Sequence, residues 1–450
     1  MFMKTTKAFF PCILLLSLWS ASTANVTAQS YTFTTIAGVA GLSGTADGTN
    51  GDARFSKPGG LAVDRAGNVY VSDTINHTIR KLAPAGTNWV VSTLAGLGGT
   101  LGSADGTNSE ARFNRPTALA VDTAGNLFVT DNYNQTIRKL TPIGNNWVVS
   151  TVAGLAGVSG FDDGTNSEAR FHGPQAIAVD SSEGLYVTDR LNFTVRGINP
   201  VGTNWVSSTL AGLAAPYYGD LVDGTNGDAQ FNLPFGIARH DGGNLYVADF
   251  GNNAIRKIAP MGPDWVTATV AGFSSTQGTN DGPASVAKFN GPNGIVVDTS
   301  ETLYVTDQYN NTIRRVAPTG GSWVVSTVAG LAGQAGSTDG TGMSARFYRP
   351  SGIVMDQARN LFVADSLNNT IRKGTLPSTL LPTLQLLLSA DQIVLSWPTA
   401  ASTFVLETAR TLDPGTSWTA LTNGVAISGN SHFFTNEVGA GPAFFRLRSP

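Results

Sequence analysis

Hydrophobic residues along this chain come in short runs, with polar or turn-forming residues between them. Between Thr117 and Ala153 the runs are Thr117–Val121, Asn126–Thr130, Thr136–Leu140 and Trp147–Ala153. They are separated by Ala124-Gly125, Asn132-Tyr133-Asn134 and Pro142-Ile143-Gly144-Asn145-Asn146. Valine, isoleucine, threonine and aromatic residues dominate, and each run has the length of a strand rather than a helix. The pattern predicts four consecutive strands joined by tight turns, pairing antiparallel neighbour to neighbour.

The same block recurs. The glycine that ends each Thr-x-Ala-Gly falls at Gly38, Gly96, Gly154, Gly212, Gly272 and Gly330, in steps of 58, 58, 58, 60 and 58 residues. The aspartate that ends each Tyr/Phe-Val-x-Asp falls at Asp73, Asp131, Asp189, Asp249, Asp307 and Asp365. A fixed period of this kind marks a repeat architecture. Four antiparallel strands in each of six units predict an all-β fold, a six-bladed β-propeller. The last unit stops at Lys373 without a Trp-Val-Val-Ser-Thr strand, and the stretch 31–37 before the first unit is an orphan strand. Pairing these two closes the ring and removes its open edges. Phe55, Phe113, Phe171, Phe231, Phe289 and Phe347 are expected to fill the gaps between blades. The prolines three residues later start the innermost strands.

The pattern Pro-x-Gly-Ile-x-Val-Asp, then Leu-Tyr-Val-Thr-Asp and Asn-x-x-Ile-Arg, resembles the NHL repeat; residues 292–314 carry it nearly intact. The longer linker, Thr-x-Ala-Gly followed by Asp-Gly and Ala-Arg-Phe, is similar to the teneurin-type NHL variant found in secreted bacterial proteins. The resemblance covers the six repeats. It implies a propeller that serves as a platform for protein, RNA or small ligands, with a minority of related propellers acting as lactonases or as the peptide-amidating lyase. Fold alone does not choose among these.

The ends of the chain read differently. Lys4 and Lys7 precede an apolar run from Ala8 to Trp19, with Val26-Thr27-Ala28 as a cleavage site, so residues 1–28 read as a signal peptide. The run is too short to span a bilayer, and no later stretch is long enough. The only cysteine, Cys12, lies inside this leader, so a secreted or cell-envelope mature chain has no thiol. Residues 29–373 form the propeller and 374–383 a proline-marked linker. Residues 384–450 are predicted to form a small β-sandwich resembling fibronectin-like end modules, with strands at 384–388, 392–397, 403–407, 418–421 and 443–447 and a weaker one at 432–435.

Composition narrows the chemistry. Charged residues make up 13% and the net charge is −3, so no cationic field is available for a nucleic-acid backbone. Of 25 aspartates, the six of Asp-Gly (Asp47 to Asp339), the six ending Tyr/Phe-Val-x-Asp and the five of Val/Met-Asp occupy repeated slots. Repeated carboxylates are expected to accept turn and cap hydrogen bonds. Four histidines show no paired metal-ligand spacing, and neither a nucleophile elbow nor a phosphate loop is present. No catalytic residue, metal or cofactor is assigned.

Functional residues should break a repeat that framework residues keep. The fourth copy is two residues longer between Gly212 and Asp223, carries Pro216-Tyr217-Tyr218, and replaces Val-Asp by Arg239-His240. The first two positions after each Tyr/Phe-Val-x-Asp also vary freely. Tyr133, Arg190, Tyr217, Tyr218, Phe250 and Tyr309 are therefore the candidate ligand-binding residues. The function expected is a non-catalytic, monomeric binding or adhesion scaffold that takes a protein or glycan through its loop-rich face. The alternative is a lactonase- or lyase-type enzyme with a metal in the axial channel.

Overall fold

A computed structural model describes residues 30–214, 219–273 and 275–376, together with 385–389, 392–398, 405–409, 418–421, 425–428, 431–437 and 444–448. The leader and its cleavage site lie outside these residues. Among them no helix is long and apolar enough to cross a membrane.

The β-branched runs pair into six five-stranded antiparallel sheets, one per repeat. In the second repeat the strands run, from the inside outwards, Pro116–Val121, Leu127–Asp131, Thr136–Ile143 and Asn146–Ala153. A fifth strand of two residues, Gly106–Thr107, pairs outside the tryptophan-bearing strand. Four strands per unit were predicted; this fifth one is too short for any periodicity to reveal. It forms because Asp105 accepts hydrogen bonds from the Thr151 backbone N–H and hydroxyl at 3.0 and 3.1 Å, docking the Asp-Gly turn onto the neighbouring strand.

The six innermost strands pack side by side in a closed circle. Pro58–Val63 lies between Pro116–Val121 and Pro350–Met355, so the first and last repeats are neighbours. Thr32–Ala37 completes the last sheet, with Thr32 opposite Thr375 on one side and opposite Thr341 on the other. Covering that edge leaves no long unpaired strand where the first and last repeats meet.

The core sits between sheets rather than within them. Phe113 is fully buried among Leu119 and Val129 of its own sheet and Ala62, Tyr70 and Ile79 of the preceding one. Farther out, a tryptophan of one sheet meets an aromatic ring of its neighbour edge to face: Trp89 with Phe362 at 5.6 Å, and Phe128 with Trp205 at 5.6 Å. Such contacts add about 0.5–1.5 kcal/mol each beyond area burial. The Thr-x-Ala-Gly glycine is required where it stands: at Gly96 φ is +93°, and a Cβ would lie 2.5 Å from the His77 carbonyl oxygen.

The C-terminal segments form two smaller antiparallel sheets, one of four strands and one of three. Leu395, Trp397 and Phe434 from the first share a core with Leu406 from the second. The strand Val425–Ser428 was not visible as a hydrophobic run in the sequence.

Candidate functional site

The recurring charges build a framework. In the second repeat the Arg138 guanidinium is fully buried and donates to Asp131 and to Asp105, each at 2.7 Å. It also donates to the carbonyls of Arg112 and Ala104, each at 2.9 Å, and packs over the Phe113 ring. Asp131 accepts from the Asn114 backbone N–H and the Asn134 amide, both at 2.7 Å. Arg80, Arg196, Arg256, Arg314 and Arg372 repeat the arrangement, each holding two aspartates. Two of the three aspartate slots thus accept the expected turn and loop hydrogen bonds and are in addition ion-pair partners of the buried arginine, a pairing that for Asp105 spans 33 residues and is invisible until the chain folds. Burial pushes the carboxyls of Asp73, Asp131, Asp189, Asp249 and Asp365 up to about 6 against the pull of their arginines. The third slot does cap a turn: Asp122 accepts from Ala124, Asn126 and the Asn126 amide. In the fourth repeat His240 takes that slot, its Nδ1 accepting from the Gly242 N–H at 3.2 Å.

A second framework device clamps neighbouring sheets. One residue after each inner loop adopts left-handed φ, and in five repeats its side chain accepts a hydrogen bond from the next repeat's backbone. His77 accepts from Arg115, Gln135 from Gly173, Asn253 from Gly291, Asn311 from Arg349 and Asn369 from Lys57. The third repeat has Phe193 here, at φ +60° and buried. Phenylalanine has no lone pair to offer, so the device is abandoned at one place only.

That place is a cavity. Phe193 lines a hollow of about 840 Å³ with Phe161, His172, Arg190, Leu191, Leu233, Phe235, Phe250, Gln308 and Tyr309. The residues come from the third, fourth and fifth repeats, around the elongated linker. Phe235 and Phe250 stack at 4.2 Å, and Tyr309 meets Phe250 edge to face at 5.5 Å. Arg190 lies over the Phe235 ring, 5.4 Å from its centroid. Its Nε is buried without a hydrogen-bond partner, and among the described residues no carboxylate pairs with it. Burial lowers the pKa of Arg190, and burial followed by the nearby Arg190 charge lowers that of His172, keeping the imidazole neutral at pH 7.

The cavity shares Phe235 and Gln308 with the mouth of the axial channel, where Lys57, Thr117, Gln175, Asn293 and Ser351 converge. Neither the cavity nor the mouth is lined by aspartate or glutamate. Deeper in, the channel is walled by glycine and aliphatic residues, with Arg239 as its only charged side chain. A divalent metal needs oxygen or nitrogen ligands, and this wall does not supply them. Among the described residues no group of three His, Cys, Asp or Glu could hold a metal ion.

Of the candidate residues, Arg190, Phe250 and Tyr309 meet in the cavity. Tyr133 is not among the lining residues, though it is near enough to act electrostatically on Arg190; it is half exposed, its hydroxyl accepting from Arg115 at 2.8 Å and its ring under the same guanidinium. Tyr217 and Tyr218 lie outside the described residues. The candidate set left out Phe193, Leu233, Phe235 and His172, and also Gln308, although Gln308 does sit in the variable slot that follows the repeated aspartate. Phe193 and Phe235 did carry a signal: each breaks a slot that is polar or glycine in the other five repeats.

The family model of the teneurin NHL domain matches residues 43–259, and that of the NHL repeat matches residues 289–315. SUPPRESSOR OF QUENCHING 1 of Arabidopsis thaliana is 28% identical over 70% of this chain and 30% of its own length. NHL repeat-containing protein 2 of Gallus gallus is 29% identical over 73% of this chain and 48% of its own. The chain thus spans less than half of either relative. An auxiliary nutrient binding protein from Bacteroides ovatus is 18% identical and superposes with a TM-score of 0.58, covering 77% of each chain, which shows a shared fold.

Proposed function

We propose, from the premise that this chain belongs to the NHL-repeat family, that it is an exported binding scaffold, a six-bladed propeller that takes a protein or glycan ligand at the cavity on its loop-rich face. The C-terminal pair of sheets is a small fibronectin-like sandwich in this reading, appended for attachment or spacing. The observation that carries the proposal is convergence. Phe193, Leu233 and Phe235 each depart from the six-fold pattern in a different slot, Arg190 and Phe250 are the two bulkiest side chains of a fourth slot that varies from repeat to repeat, and all five line one hollow. Drift of unselected loops would scatter such departures around the ring. The volume falls within the ~300–1,000 Å³ of ordinary ligand sites. Exposed apolar side chains on the neighbouring linkers, among them Leu155, Val158, Phe161, Leu213 and Phe273, enlarge the sticky rim. A binding role is also in keeping with the nutrient binding protein that shares the fold.

The test is a glycan and surface-protein screen with the mature chain, repeated with a Phe250→Ala/Tyr309→Ala variant. Loss of the captured ligand at an unchanged melting temperature supports the assignment. Binding that survives the double substitution refutes it.

A further inference from the structure

The framework arginines and Arg190 differ in one respect. Each of the six holds two carboxylates of this chain, whereas Arg190 has no carboxylate partner among the described residues and faces a hollow whose lining holds none. A guanidinium held half-buried over an aromatic ring retains planar donors for a ligand oxygen pair. Beside it the stacked Phe235 and Phe250 rings and the Tyr309 ring form an apolar platform. The amide of Gln308 and the neutral imidazole of His172 add uncharged hydrogen-bonding groups. We propose that this cavity binds an acidic oligosaccharide: a uronate carboxylate on Arg190, and a sugar ring laid by its C–H face against the Phe250–Tyr309 platform.

The chemistry selects against the alternatives. A cationic ligand meets Arg190 with no acid to offset it. A peptide that binds by strand addition needs a free strand edge, whereas the cavity is lined by side chains on loops and strand ends. A pyranose presents one apolar face and a rim of hydroxyls, which matches rings below and amide and imidazole at the side.

This inference rests on the cavity being the ligand site, and the experiment separates the two. Titration calorimetry is run with trigalacturonate and with its fully methyl-esterified form, which has the same shape without charge. The acid is expected to bind at least tenfold more tightly. Arg190→Gln is expected to abolish that preference, and Arg190→Lys to restore only part of it, because an ammonium lacks the planar fork. Equal affinity for the two forms, or no binding of the acid, overturns the acidic-sugar inference. If the ester binds at least as tightly as the acid and still requires Phe250 and Tyr309, the cavity stands as the site and only the carboxylate assignment falls. If either trisaccharide binds and neither ring substitution weakens it, both readings fall.

Discussion

The ring of Phe250 lies parallel to that of Phe235 within 19°, their centroids 4.2 Å apart. Phe235 is the second residue of the innermost strand of the fourth repeat and Phe250 follows its second strand, so one hairpin supplies both rings. The corresponding pairs elsewhere are Gly59 with Thr74, Thr117 with Asn132, Gln175 with Arg190, Asn293 with Gln308 and Ser351 with Ser366. An aromatic platform is thus built once in the ring.

Gly291 makes room for the platform. Its φ is +65°, and a Cβ there would stand 2.7 Å from the Tyr309 ring and 2.9 Å from Phe250. Gly125, at φ +87°, has nothing within 4 Å. Gly291→Ala and Gly125→Ala should each cost about 1 kcal/mol of backbone strain. Only Gly291→Ala should also displace the rings and weaken ligand capture. Denaturant titration and a binding assay of both variants check this, and equal binding by the two would refute the steric argument.

Phe193 is a buried aromatic whose replacement by asparagine should be unusually mild. Losing the ring forfeits about 1.5–3 kcal/mol of burial. Asparagine tolerates left-handed φ, which returns about 1 kcal/mol, and could accept from Leu233 N–H as Asn253 does from Gly291, worth about another 1 kcal/mol. Phe193→Asn should therefore cost less than about 1 kcal/mol, while the same change at the inter-sheet wedge Phe231 costs about 3 kcal/mol or more. Urea midpoints of the two variants test it. The cavity loses a wall, so ligand affinity should drop in Phe193→Asn regardless.

Arg138 ties three segments through two carboxylates, of which Asp131 is fully buried. Arg138→Met leaves that charge without its counterion and should cost about 3–5 kcal/mol. Adding Asp131→Leu removes the stranded charge, so the double variant should be more stable than Arg138→Met alone. A double-mutant cycle in guanidinium chloride measures the coupling. Additive losses would show that the pair is not a unit.

The buried aspartates set a pH response of unusual sign. Their folded pKa of about 6 lies above the ordinary value of 3.8, because burial outweighs the arginine partner. The folded chain thus binds more protons than the unfolded one between about pH 4 and 6. Their contribution to stability is complete below the unfolded value and is lost as pH rises through 6. The melting temperature should climb on going from pH 7 to pH 5. A fall over that interval would mean that the arginines outweigh burial.

Much of the architecture was legible without coordinates. The constant step between Thr-x-Ala-Gly glycines, the four hydrophobic runs in each unit and the orphan strand before Gly38 are local features, and strand pairing between sequence neighbours follows from them. The teneurin-like linker was readable for the same reason. What the sequence could not display is partnership at long range. Arg138 and Asp105 are 33 residues apart, so the recurrence of Ile-Arg marks the arginine as framework without naming the carboxylates that it ties together in the buried interior of its sheet.

The sequence by itself determined which positions belong to the framework, because a residue written six times must do the same job in each copy. Closure of the ring decided which of the remaining positions matter together. Arg190, Phe250 and Tyr309 follow the same recurring aspartate in three different repeats and Phe235 follows a recurring proline, so the four are spread over 120 residues of chain. They meet because the innermost strands of consecutive repeats lie side by side and carry their loops to one face. Variation in those loops reads as drift along the chain. In the folded ring it becomes one hollow with an aromatic floor and an arginine that, among the described residues, has no carboxylate partner.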